Sequence, residues 1–471
     1  MYKYYRNSFQ NIFCKESFFL IYSDLIFILG LFPASLILSF LDRSSEYKNL
    51  ILIIFSLLFF SWGKPFIICL IFLSSLFDWS MGFLVHKNKG KKSSLAYLVA
   101  DGAVNSALLM IFGHNYLFSG ISSLSFREEI LPVCMAFYCL RGFSYVYDIY
   151  KSYSEPEKNY FCLLTFMVSF HTMLCGPFVH YKDTEPFIRN REISIKKLND
   201  GLVRIFCGLG KVVLLAPLFD SITLAGLNGK SITLTGSWLG MISFFAKYYF
   251  LISGFSDMGK GMGLTNGFEL PDNCRDISLS SFTGIVSGTN TTVVDFFGEI
   301  SGFCKNEKSS SKTVLTAVLC GIMLSLWYEA RLNFLMVGIV AGVLCGLEKL
   351  YFKGKSSAVI RSALNFLIVL FLFGGLYFDS ISSYSKWIFS LFGKGVSSFS
   401  SSEINKLILN NLTLLAVSFL IVFPPAKHLI KRLTEKSEKS SAKGFIKITK
   451  TICTALVFLI SVITVASGTG V

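Results

Sequence analysis

Thirteen apolar runs, separated by short polar loops, constrain this 471-residue chain more than any other feature: 18–41, 50–62, 65–85, 95–118, 130–150, 159–181, 200–219, 234–252, 313–330, 331–347, 358–378, 404–424 and 446–467. Lipid offers no partner to a backbone N–H or C=O, so runs of this kind cross a membrane as helices. A crossing needs about 20 mostly apolar residues. Several runs fall short or are interrupted, as 50–62 is by Gly63, Lys64 and Pro65, and 200–219 is by Arg204, Lys211 and Pro217. The expectation is an all-α, polytopic membrane protein with about 11 transmembrane helices plus in-plane or re-entrant helices. Charged residues make up 15% of the chain, against about 25% in soluble proteins, which excludes an ordinary soluble enzyme. The longest polar stretch is 272–312, too short for a separate soluble domain, so 1–471 reads as a single membrane domain.

The net charge of +15 raises the question of nucleic acid. The bases sit in short loops between apolar runs, where cytoplasmic orientation and anionic lipid head groups account for them; nucleic acid is not an expected partner, whereas membrane lipid is. Residues 86–92 hold four lysines and no acid, 427–450 hold eight bases against two acids, and 349–361 add four more bases. All three loops read as cytoplasmic. That counting puts the Ser-rich 380–403 loop and both termini outside, against the pull of Lys3, Arg6 and Lys15 near the start. The twelve cysteines form no CxxC pair and no zinc spacing, so no metal site is expected. Gly208-Leu209-Gly210-Lys211 lacks the spacing and hydroxyl of a phosphate-binding loop.

Ionisable groups inside apolar runs are expensive and usually face a cavity or a partner. Asp257, with Ser253, Ser256 and Lys260 within a helical turn, is the strongest case. Glu329 and Arg331 interrupt 313–347 beside Trp327, either as a polar turn between half-length helices or as functional groups. His171, Arg141 and His114 complete the set. Asp257, Ser256, Trp327 and Arg331 are the residues expected to line a substrate channel.

Several segments, in order, resemble the membrane-bound O-acyltransferase (MBOAT) family, in its bacterial branch of alginate and cell-wall polysaccharide O-acetyltransferases and the D-alanyl transfer protein. SLLFFSWG at 56–63 resembles "SLxFYAWG". Leu131-Pro132 to Phe137-Tyr138, then SYVYDIY at 144–150 and EPEKN at 155–159, resemble "LPxGISFYTF…SYxxDVYR…EPxxN". CGPFVHYKD at 175–183 resembles "AGPIxRYxD", and SGFSDM at 253–258 with GFELPDN at 267–273 resembles "SGYSDMAxG…GFxLPxNF". The resemblance spans residues 50–350; the remainder matches only as generic membrane helices.

The resemblance implies a helical bowl around a central funnel. It also implies an acyl group taken from a thioester (acyl-CoA or an acyl carrier protein) on the cytoplasmic side and delivered to a hydroxyl across the cytoplasmic membrane. No cofactor would be resident. An extracytoplasmic acyl-transfer or glycan-modifying protein would be the partner. The family base is a histidine in "LWHGASW"; the matching stretch here is LWYEARL at 326–332, with Tyr328 in its place. The second hallmark, "FWRRWHxSLSxWxRD", falls on 282–295, where its aromatic and cationic residues are gone and Ser287 lies near the histidine position. A phenol ionises near pH 10 and is a poor base at neutrality. Glu329 and His171 are the substitutes to test. Two outcomes stand open: retained acyl transfer through a substitute base, or a non-catalytic descendant acting in cell-envelope polysaccharide O-acylation. The alternative class, a transporter or flippase of glycan or lipid precursors, calls for paired halves with helices broken at corresponding positions, and no such symmetry is visible.

Overall fold

A computed structural model describes residues 20–42, 44–63, 65–113, 134–229, 231–274, 280–304, 310–351, 358–378, 380–422 and 443–468. His114, Leu131-Pro132 and most of the 427–450 basic loop lie outside the described residues. Among the described residues the chain is helical throughout, with one isolated bridge, Thr233 to Ser398, and no named strand.

A π-helical turn (Ile26–Leu31) leads into α1 (Phe32–Ser39), followed by α2 (Ser45–Phe60), α3 (Phe66–Lys87), α4 (Lys92–Gly113), α5 (Cys134–Tyr150), α6 (Tyr160–Val168) and α7 (Tyr181–Arg189). Then come α8 (Ile195–Gly210), a π-helical stretch (Lys211–Leu215), α9 (Ala216–Leu227), α10 (Leu234–Thr265), α11 (Phe282–Gly288), α12 (Thr291–Ser301), α13 (Ser310–Tyr328) and α14 (Leu332–Tyr351). The chain ends with α15 (Ala358–Tyr377), α16 (Ile381–Leu391), α17 (Ser402–Asn410), α18 (Leu412–Val422) and α19 (Lys443–Ala466). Among the described residues seven helices are long and apolar enough to cross a membrane, or eight if the bent pair α17–α18 is one span, with two shorter apolar helices at Ile26–Ser39 and Thr451–Ala466. One of the seven runs unbroken through the π-helical stretch from Ile195 to Leu227. There the wider turn precedes Pro217, whose missing N–H would otherwise interrupt the ladder.

The run 159–181 does not form one helix. Asn159 caps α6 through Phe161 N–H, but the helix stops at Val168, a 3₁₀ turn follows at Phe170–Thr172, and Cys175 takes a positive φ of 49° before Gly176 and Pro177. Hydropathy alone does not register such a break.

The backbone clusters into two compact units. Unit 1 comprises Met1–Ile205, Phe255–Asp272 and Trp327–Ala330; unit 2 comprises Phe206–Gly254, Asn273–Leu326 and Arg331–Val471. In unit 1, α3, α4 and α5 pack on one another. Gly82 permits the approach of Tyr145 and Ile149, and Gly102 that of Phe143. In unit 2, α13 and α14 form a close hairpin in which Gly321 and Gly338 face one another so tightly that a Cβ on either would overlap the other's carbonyl oxygen. Glu348 of α14 caps α11, accepting from Phe282 N–H at 2.8 Å and Thr283 N–H at 2.7 Å. The Ser-rich 380–403 segment is tied to the start of α10: Thr235 N–H donates to Phe399 O at 3.0 Å, and the Trp387 indole to Ser237 O at 3.1 Å.

Candidate functional site

Trp327 and Tyr328 end α13, and the chain leaves helical geometry at Glu329 before α14 begins at Leu332. The Trp327 indole N–H donates to Ala136 O of α5 at 3.0 Å, and its ring meets Phe137 edge-on at 5.0 Å. The Tyr328 ring lies 5.0 Å from that of Trp327 and is half-buried, while Glu329 is buried. These three belong to unit 1, as do His171, Ser256 and Asp257; Ser287 and Arg331 belong to unit 2. Ser287, half-buried on α11, offers its carbonyl to Thr291 Oγ1 at 2.9 Å.

Asp257 is paired. Arg204 Nε donates to its Oδ1 at 2.9 Å, the same guanidinium bonds Asp272, Lys260 Nζ reaches Asp272 at 2.9 Å, and Lys197 pairs with Glu269 at 2.8 Å. Three cations thus meet three carboxylates. Burial pushes the Asp272 carboxyl up, but Lys260 and Arg204 outweigh it and hold the group below the ordinary carboxylate range. Two neighbouring donors locked onto one acid make this network an organiser of α8, α10 and the segment after α10.

His171 sits on the 3₁₀ turn after α6 and is buried, its ring tilted against Phe268 at 4.8 Å. The turn docks on α10 where that helix carries Gly259 and Gly263: a Cβ on Gly259 would lie 2.5 Å from His171 O. The turn is thereby brought to the helix that carries Asp257. His171 Nδ1 has no hydrogen-bond partner among the described residues.

A second lattice escaped sequence reasoning, although its members lie in the quoted motifs. Asp148 of α5 is 2.6 Å from His180 Nδ1 and accepts from Tyr181 N–H at 3.1 Å. Glu157 accepts from the Tyr181 hydroxyl, from Arg189 Nη2 at 2.6 Å and from Asn159 N–H at 2.8 Å. The Glu157 carbonyl takes the Trp79 indole N–H at 2.6 Å. Burial raises the Tyr181 hydroxyl well above its usual range, with Glu157 adding to the shift, so it remains a donor. The SYVYDIY, EPEKN and HYKD strings therefore hold α3, α5 and α7 together. Where the family pattern has arginine, His180 meets Asp148. Among the described residues no group of three or more His, Cys, Asp or Glu is placed to hold a metal ion.

No model of a known protein family matches the chain. A probable alginate O-acetylase (AlgI) of Pseudomonas fluorescens is 24% identical over 412 residues, covering 86% of this chain and 81% of its own length. The AlgI of Pseudomonas aeruginosa is 24% identical over 425 residues, with 86% and 80% covered. A peptidoglycan O-acetyltransferase of Helicobacter pylori is 22% identical over 381 residues, 71% of each chain. Ordered motifs, an all-helical multi-pass body and relatives aligned over most of both lengths make this chain similar to the bacterial polysaccharide O-acetyltransferases of the membrane-bound O-acyltransferase type.

Proposed function

We propose that the chain works in the O-acylation of a cell-envelope polysaccharide, in the cytoplasmic membrane, as a member of its family that no longer carries the acyl-transfer step. The observation that carries this reading is Tyr328. The tryptophan before it is held by a hydrogen bond to Ala136 O and an edge-on contact with Phe137, so the local scaffold persists while the base position holds a phenol. A phenol retains its proton at neutral pH and cannot accept one from an attacking hydroxyl. The loss of cationic and aromatic residues over 282–295 supports the same reading, since donor positioning and base catalysis act as a unit. The thioester donor and the extracytoplasmic transfer protein would then be handled by an assembly in which this chain is a structural or acceptor-side member.

One observation favours a second reading. His171 is a buried imidazole with an unpartnered Nδ1, and a neutral imidazole is the side chain best suited to take a hydroxyl proton. The experiment that separates them measures acyl content of the envelope glycan in cells carrying native, deleted or substituted copies. Under the first reading, Tyr328→Phe and His171→Gln, at normal protein levels, leave acylation as in the native strain. Loss with His171→Gln alone would establish the second. Loss with Tyr328→Phe alone would overturn the view that the tyrosine is not a catalyst.

A further inference from the structure

Two carboxylates lie buried in the α3–α4–α5 bundle with no cation beside them. Asp78 of α3, Asp101 of α4 and Asn105 of α4 are 1%, 0% and 3% exposed. The Asn105 amide donates one N–H to Asp78 Oδ1 at 2.9 Å and turns the other toward Asp101, to O at 3.2 Å and Oδ2 at 3.5 Å. Both amide hydrogens are thereby committed. Three oxygens of the cluster remain without a partner, Asp78 Oδ2, Asn105 Oδ1 and Asp101 Oδ1, and the first two lie together on the opposite side of the Asp78–Asn105 pair. Asp78 Oδ2 and Asn105 Oδ1 converge on Gly142 of α5, where a Cβ would overlap Asp78 Oδ2 and lie 2.9 Å from Asn105 Oδ1.

That convergence selects the missing species. Both atoms can only accept as drawn, and two acceptors facing one another need a donor between them. Each oxygen has less than 1 Å² of accessible surface, and the Gly142 backbone packs against both, which leaves no room for a water or a hydrated ion. A proton needs no volume. We propose that Asp78 binds a proton on Oδ2 and donates it to Asn105 Oδ1, closing a two-bond acid–amide ring with the Asn105 N–H donated to Asp78 Oδ1. One proton then satisfies two orphaned oxygens and removes a charge from a site that lacks a counter-ion. The geometry also accounts for glycine at 142, since a methyl group there would strike the ring.

One neighbour competes for that proton, the buried carboxyl of Asp101, whose Oδ1 is also without a partner. Asp101 faces the pair from α4, Tyr138 and Cys139 from α5, and Tyr160 of α6 bonds Ser75 one turn away on α3. Tyr138 is occupied with Ser74 Oγ at 2.7 Å and Ile71 O at 3.0 Å, and Tyr145 accepts from Glu157 N–H. No lysine, arginine or histidine among the described residues bonds either carboxylate.

The test uses the full chain in detergent or nanodiscs. Infrared spectroscopy at neutral pH should show the carbonyl stretch of a protonated carboxylic acid in the native protein, and Asp78→Asn should abolish it. An asparagine rebuilds the ring as an amide–amide pair, so Asp78→Asn should melt within a degree or two of native, whereas Asp78→Ala should melt several degrees lower. As pH rises well above neutrality, native melting should fall while Asp78→Asn stays level. If the alanine variant does not accumulate, the infrared comparison of native and Asp78→Asn decides alone. Absence of the acid band would overturn the proposal. So would a band that survives Asp78→Asn and vanishes in Asp101→Asn. A melting temperature raised by sodium chloride over choline chloride, and lost in Asp78→Asn, would put a metal cation in the proton's place.

Discussion

Replacing Glu157 by alanine should cost about 3 kcal/mol, and the sum follows from what its carboxylate holds. The side chain is 3% exposed and accepts three hydrogen bonds, from Tyr181, Arg189 and Asn159. Tyr181 is itself 1% exposed, so its hydroxyl is left without an acceptor away from water, at about 1–3 kcal/mol. Arg189 is half-exposed and rehydrates, which limits its share to about 1 kcal/mol or less. The Asn159 N–H lies near the surface and contributes about 0.5–1 kcal/mol. Glu157→Gln keeps one acceptor oxygen and the side-chain volume, and should lose roughly 1 kcal/mol. Differential scanning fluorimetry of the three proteins in one detergent should order them native, Gln, Ala, with the alanine variant several degrees below native. Equal melting of alanine and native proteins would refute the claim that this carboxylate ties α7 to the segment before α6. Equal losses for Gln and Ala would show that charge, not acceptor count, is what matters.

Further outcomes follow from other parts of the chain. Tyr328→His alone should leave glycan acylation unchanged, because the residues over 282–295 that would position a donor are also missing; acyl release and chromatography read this directly. Asp272 has a lowered carboxyl, so its pairing with Lys260 and Arg204 stabilises the protein above the ordinary carboxylate range and is lost as pH falls through the lowered value. The difference in melting between native and Asp272→Asn should therefore shrink as pH drops below about 4. Gly321→Val drives a side chain into the Gly338 backbone and should lower the melting temperature by the equivalent of about 2–3 kcal/mol or prevent accumulation. Single cysteines placed in the 86–92 turn between α3 and α4 should be labelled only from the cytoplasmic side.

Much of the architecture is legible in the chain because hydropathy reports directly on what lipid demands of a backbone. The long runs that became α3, α4, α13 and α14 needed no other signal. The run 159–181 misled for the same reason: mean hydropathy is blind to Gly176, Pro177 and a positive φ at Cys175. Asp257 stood out as an acid in an apolar stretch, yet its partner Arg204 is 53 residues away and registered only as an interruption. His171 was visible as a histidine in an apolar run, but its docking on Gly259 is a tertiary fact. Asp148, His180, Glu157 and Tyr181 lay inside strings that carried the family resemblance, and their mutual roles stayed hidden because the bonds join positions 24 to 33 residues apart. Asp78 and Asp101 did carry a sequence signal, since each is an acid inside a run read as spanning. That signal is weaker than the one at 253–260, where Ser253, Ser256 and Lys260 cluster around Asp257.

The hydrogen bond from Trp327 to Ala136 O joins residues separated by 191 positions, and this bears on the order in which the protein can be made. Unit 1 draws on residues 255–272 and 327–330 as well as its first 205. An emerging chain therefore inserts α2 to α5 long before the tryptophan that closes against α5 has been synthesised. Until then Ala136 O and the edge of Phe137 lack their partner, and α8 and α10 each end in a unit still incomplete. Neither unit is a separable fragment. Halting translation before residue 327 should yield a product that inserts but stays open to proteolysis around α5, and protection should arrive in one step when the Trp327–Ala330 segment clears the ribosome.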